Sequence, residues 1–171
     1  MAKAVYSLES LKMGAAGANG VMGTTLADIF KIAAGSVTFD WPEPTTTDIT
    51  AEEDSSAWVS LEEKQPKKIS FESQDMSLEA VKVAFGGSIT TTKLTPGINF
   101  TIPPQSLEII TRALQGSKAK WSFPLVQVIA SLTGTLQKSD LLRIKFSVTI
   151  LQPTNASGVA LPDFTYELVA A

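Results

Sequence analysis

The chain has 171 residues, with 14 Lys+Arg, 17 Asp+Glu, and neither His nor Cys. A single domain of this length buries roughly 70% of its unfolded surface and needs no disulfide or metal to hold it. Without His or Cys, thiol nucleophiles, disulfide frameworks, zinc sites and Ser-His-Asp relays are all excluded. An enzyme would have to rest on carboxylates, Lys, Tyr or Ser, so the expectation is a protein with no catalytic residue, cofactor or metal site.

The net charge of −3 is unevenly spread, with eight acids and no base between Asp40 and Glu63. The second part of the chain, from Lys67 onward, is net basic, but it lacks the strong basic footprint of a nucleic-acid binder. Ser and Thr total 35 residues, more than the 31 charged ones, a balance suited to pleated, half-buried strands. Met1–Met13 has no apolar h-region and no apolar run is long enough to span a bilayer, so folding in a cytoplasm without a membrane anchor is expected.

Residues 1–23 read as a flexible Gly-rich arm, and 24–171 as a single β-rich domain. Gly14, Gly17, Gly20 and Gly23 recur every third residue. Without Pro they make no collagen triple helix, and without a Gly-Lys-Ser/Thr sequence they make no phosphate loop. A short turn or helical piece is expected over 24–30. Val37, Phe39 and Trp41 then alternate with Ser36, Thr38 and Asp40, predicting a strand over 31–41 that Pro42 and Pro44 stop. Residues 42–66 form a long loop rich in Thr, Ser, acids and Pro, with Trp58-Val-Ser-Leu61 favouring a docked or hairpin-like form.

A strand is predicted over 67–73 and a helix over 76–85. Ser77 is its cap, Glu79 sits in its first turn, and Gly86-Gly87 ends it. Strands at 88–94 and 98–102 would flank a Thr95-Pro96-Gly97 turn. Further strands are expected at 106–114, at 120–136 (one long or two broken at Pro124), at 143–151 and around Phe164–Leu168. The fold class is therefore mainly β: an antiparallel β-sandwich or barrel with one flanking α-helix, a long acidic loop and extended terminal arms. Its sheet edges need cover, which neighbouring subunits would supply.

Three residue groups invite chemical readings. Glu52-Glu53-Asp54, with Asp48 nearby, lacks the spacing of a calcium loop and reads as a solvated or partner-facing segment. Lys118, Lys120, Lys138, Arg143 and Lys145 form a thin basic cluster, read as a solvated face or as an interface paired to the acidic loop of another copy. Trp41, Trp58 and Trp121 would form a stacking platform if the chain were a carbohydrate-binding module, although Trp41 fits a core position by its alternation.

The order of these segments resembles the tail tube (major tail) proteins of long-tailed bacteriophages, related in fold to contractile-tail and type VI secretion tubes. The Gly-containing arm leads into IFKIAAGSVTFDW, similar to the family's early strand. Residues 42–66 sit where the family carries its long inter-ring loop, and ISFESQDMSLEAVKVAFGG resembles its strand and single helix. The stretch from Ser106 to Pro153 resembles its C-terminal strands. This resemblance implies a virion structural protein that self-assembles into stacked hexameric rings, forming the DNA-ejection conduit. It implies as partners further copies of itself, the tape measure, terminator and baseplate components, and DNA passing through the lumen without specific binding. It places the protein in the virion tail, assembled in the bacterial host cytoplasm. The alternatives are another self-assembling β-sandwich, such as a capsid decoration or pilus-like module, and the carbohydrate-binding module.

Overall fold

The computed structural model describes residues 7–29, 31–50, 56–97, 100–113, 116–135, 137 and 140–170. The strands are β1 (Leu8–Ala15), β2 (Ala27–Asp28), β3 (Thr38–Asp40), β4 (Thr45–Thr50), β5 (Ala57–Glu63) and β6 (Lys68–Ser73). After helix α1 (Leu78–Phe85) come β7 (Ser88–Thr90), β8 (Lys93–Thr95), β9 (Gln105–Thr111), β10 (Ser117–Thr133), β11 (Arg143–Ile150) and β12 (Thr165–Ala170).

The 17-residue β10 organises the molecule. Its inward side chains are Ala119, Trp121 and Phe123 before Pro124, then Val126, Val128 and Ala130 after it. The phase shifts because β10 carries one more residue than β9 between the pairs Phe123↔Leu107 and Val126↔Gln105, which makes a β-bulge. A proline is tolerated there because a bulged residue leaves the ladder. Ser106, fully buried, pins the bulge: its hydroxyl donates to the Pro124 carbonyl at 2.7 Å and accepts from the Gly23 N–H at 2.8 Å.

β9 runs along one edge of β10. The other edge is shared end to end, with β11 against residues 126–133 and β12 against residues 117–122. Every pairing is antiparallel, and the path runs β2-β1-β9-β10-β11-β6-β3. This sheet folds over on itself as a sandwich. One inward row is Val128–Val148–Ile69–Phe39 and another is Met13–Leu107–Phe123. Phe71 and Phe146 stack between them with ring centroids 5.0 Å apart. Ala84 of α1 reaches the core, with Ala80, Val81 and Phe85 packed against it. Ser77 caps α1 by accepting from the Ala80 N–H at 3.3 Å, and Gly86 closes it at φ 64°, a conformation that suits glycine.

Several expectations are corrected. Residues 8–15 are a core strand, with Leu11 and Met13 buried against Ile109 and Leu107, so the flexible arm over 1–23 does not hold for them. Alternation of Leu11 and Met13 around Lys12 carried that signal, outweighed by the glycines that follow. Those glycines act through close approach: a Cβ on Gly14 would lie 2.1 Å from the Thr25 carbonyl oxygen, and one on Gly23 2.1 Å from that of Ala15. Residues 1–6 lie outside the described set. In 24–29 a two-residue strand replaces the turn or helical piece expected over 24–30, whose residue 30 lies outside the described set, and in 31–41 only Thr38–Asp40 is strand. The hairpin after α1 turns at Thr91-Thr92 instead of Thr95-Pro96-Gly97, since β7 pairs with β8 over 88–90 and 93–95. Residues 98 and 99, where the second strand of that hairpin was expected to begin, lie outside the described set, and 100–102 are not strand.

Two substitutions test this core. Phe71→Ala should lower unfolding free energy by about 3–5 kcal/mol, since it removes a fully buried ring from a stacked pair. Ser106→Ala should lose about 1–3 kcal/mol by leaving the Gly23 N–H and Pro124 carbonyl unsatisfied. Denaturant titration reads both, and an unchanged midpoint for Ser106→Ala would mean that the bulge is held by other contacts.

Candidate interaction surface

The sandwich is incomplete on one side. Phe39 and Trp41 carry the inward phase of β3 and its continuation, and Tyr166 and Leu168 carry the inward phase of β12, opposite Trp121 and Ala119. All four remain exposed, with Phe39 at 44% and Leu168 at 48%. The two edges approach through aromatic rings: Trp41 lies 5.1 Å from Phe164 and 5.6 Å from Trp121, and Tyr166 lies 4.6 Å from Trp121. β3 and β12 do not pair, so the sheet is not closed into a barrel.

Lys67 sits over this aromatic group, its Nζ 4.8 Å from the Phe164 ring centre and 5.4 Å from that of Trp41. Asp163 holds the ammonium at 2.7 Å. This contact ties the loop between β11 and β12 to the start of β6. Pro153, fully buried, and the Asn155 side chain, which accepts from the N–H groups of Ser157 and Val159, give that loop a fixed shape.

Beside the aromatic group, a cleft of about 1050 Å³ separates β1, β9 and the first half of β10 from residues 28–29 and 31–41. Leu8, Ile32, Val37, Phe39, Trp41 and Trp121 supply most of its apolar wall. Lys31 and Arg112 also line it, and neither has an acidic partner within salt-bridge distance among the described residues. Ser7 and Lys31, both on its wall, hold positive φ of 52° and 54°. For non-glycine residues this conformation is strained by about 1 kcal/mol or more and persists only where surrounding contacts fix it. Here the Lys31 carbonyl accepts from the Gln74 N–H and the Ser7 carbonyl from the Arg112 N–H.

The expected long loop over 42–66 contains a two-stranded hairpin, β4 with β5, which pairs with no other strand among the described residues. Every residue of β4 is exposed, as are residues 59–63 of β5. The register gives the ribbon two faces. Ile49 lies opposite Val59 and Thr47 opposite Leu61 on one; Asp48 lies opposite Ser60 and Thr46 opposite Glu62 on the other. The Ser60 hydroxyl donates to Asp48 at 2.6 Å. An isolated two-stranded ribbon is marginally stable in water at best, and this one leaves Ile49, Val59 and Leu61 all exposed.

The basic cluster is largely satisfied inside the chain. Lys118 pairs with Glu9 at 2.7 Å, Lys120 with Glu108 at 3.2 Å, and Arg143 with Glu72 and Asp140, both at 3.2 Å. Lys145 stands across the strand pair from Glu72. Lys118, Lys120 and Arg143, expected on a solvated face or at an interface with the acidic loop of another copy, thus have acidic partners within the chain. Lys138 and Glu52-Glu53-Asp54 lie outside the described residues, as does the side chain of Trp58. Trp41 and Trp121 do come together, but their planes cross at 80°, so they do not present one flat stacking platform.

Among the described residues no group of three or more Asp or Glu side chains could hold a metal ion. What the site offers is a surface: apolar, aromatic-rich and open. In comparisons with known proteins, no family model matches this chain, and no curated sequence matches it.

An open apolar cleft of this kind should bind the dye ANS in the fully folded, dilute protein. Fluorescence enhancement with intact near-UV circular dichroism is the expected result, and Ala34→Arg, placed on the exposed wall of the cleft, should reduce it several-fold. No enhancement in the wild-type protein would mean that the cleft is closed in solution.

Proposed function

We propose that this chain is a self-assembling structural subunit, the tail tube protein of a long-tailed bacteriophage, which forms stacked hexameric rings enclosing a DNA-ejection conduit. The observation that carries this reading is an amphipathic hairpin and an unclosed sandwich in one chain, neither of which can bury its apolar surface alone. Association with further copies relieves both. The order of segments supports it too: the single helix lies between β6 and the C-terminal strand series, and the hairpin occupies the place of the family's inter-ring loop.

A hairpin with strands of six and seven residues extends about 20 Å at the rise of an antiparallel strand, a reach suited to contact with a neighbouring copy. Edge strands β12 and β3 supply unpaired backbone groups for pairing with a neighbouring copy. The outward face of β1, β9 and β10 is polar, carrying Lys12, Glu108 and Lys120 as a linked row. Such a face suits a water-filled channel, and Glu108, shared between the two lysines, offsets part of their charge.

The direct test is electron microscopy of the purified protein at rising concentration. Rings or tubes with an open channel are expected, whereas a protein that stays monomeric at every concentration would contradict the proposal. Deleting residues 45–63 should abolish stacking while leaving far-UV and near-UV circular dichroism of the sheet in place, and normal tubes from that variant would remove the hairpin from the account.

A further inference from the structure

We infer that the cleft lined by Leu8, Ile32, Val37, Phe39, Trp41 and Trp121 is the receptor for the apolar face of the β4–β5 hairpin of another copy. The inference rests on the self-assembly reading above and names the two surfaces that meet. Each is deficient in a complementary way. Among the described residues, the hairpin presents Ile49, Val59 and Leu61 exposed, and the cleft presents about 1050 Å³ of mostly apolar space. Within one chain the described part of the hairpin does not line its own cleft and its apolar residues stay exposed, so the match is between copies.

Charge favours the same occupant. Residues 45–63 contain no Lys or Arg, and the described part of the hairpin carries Asp48, Glu62 and Glu63. The cleft wall carries Lys31 and Arg112 without acidic partners among the described residues; of its own acids, Glu9 is already held by Lys118 at 2.7 Å, leaving Asp28. Of these acids Glu63, opposite Thr45, shares the face of Val59 and Leu61, so the docking face brings a carboxylate to a cleft that holds two available cations. A second hairpin packed face to face would instead bring like charges together. Because hairpin and cleft are different surfaces, the contact is heterologous: each copy gives one hairpin and receives another, so it propagates instead of stopping at a dimer.

The chain has no cysteine, which makes the test direct. Two single variants, Ala34→Cys on the exposed cleft wall and Leu61→Cys on the apolar hairpin face, are mixed in equal amounts, assembled and oxidised in air with copper. Peptide mass spectrometry then reads which thiols have joined. The expected product is the mixed disulfide between positions 34 and 61, formed at least about tenfold more than with Thr46→Cys, which lies on the opposite hairpin face. Charge reversal of the cleft by Lys31→Glu with Arg112→Glu should reduce that product several-fold, and pairing this variant with Glu63→Lys in the hairpin partner should restore it in part. Assembly without the mixed disulfide, or with Leu61→Cys joined only to itself, would overturn the docking while leaving self-assembly intact. A mixture that never assembles would overturn both.

Discussion

The bulge at Pro124 is the constraint on which the rest of the molecule depends. One strand of 17 residues serves three neighbours because the bulge resets its inward phase and bends its course halfway along. Without that reset, Val126 and Val128 would point outward and β11 would lose the partners of Phe146 and Val148. The Ser106 hydroxyl fixes the position of the bulge, and through Gly23 it also draws the Gly-rich turn against the sheet. A buried hydroxyl with both roles satisfied costs little, whereas either partner left alone in the interior would be costly.

The same arrangement explains why the fold stops short of closure. β11 and β12 lie end to end on one edge of β10, and the 14-residue connection between them passes outside the sheet. The start of β12 is held by Lys67, Asp163 and the packed rings of Phe164 and Trp121, but its outer edge meets no strand. On the facing side β3 is only three residues long. A gap lined with inward-phase aromatic side chains follows. Two edges that end without partners, an open cleft and a projecting ribbon are all the products of one sheet with too few strands to surround its own core.

Much of this was legible in the chain because period-two alternation is a local signal. β11 was read to within one residue, since Ile144, Phe146, Val148 and Ile150 alternate without interruption, and α1 was legible from Ser77, its apolar spacing and Gly86-Gly87. β1 was missed because four nearby glycines resemble a flexible segment in sequence, while their reason is a steric one that only the facing Thr25 and Ala15 carbonyls reveal. The cleft was invisible for a similar reason. Phe39 and Trp41 alternate as core residues do, and whether an inward position is covered depends on a second layer that no local pattern encodes. Charge gave a partial view: the acidic hairpin was evident, but the cross-strand acids that neutralise Lys118, Lys120 and Arg143 lie far away in sequence or across a register.

The central claim is that this subunit holds surfaces in reserve that only other copies complete. Amide hydrogen exchange measured on the same protein, dilute and then assembled, tests it most directly. The account predicts that amides of β4, β5 and β12 exchange quickly in the dilute protein and become protected by at least about a hundredfold on assembly, while those of β10 and β11 are protected in both. Equal protection of the hairpin and β12 before and after assembly would contradict it.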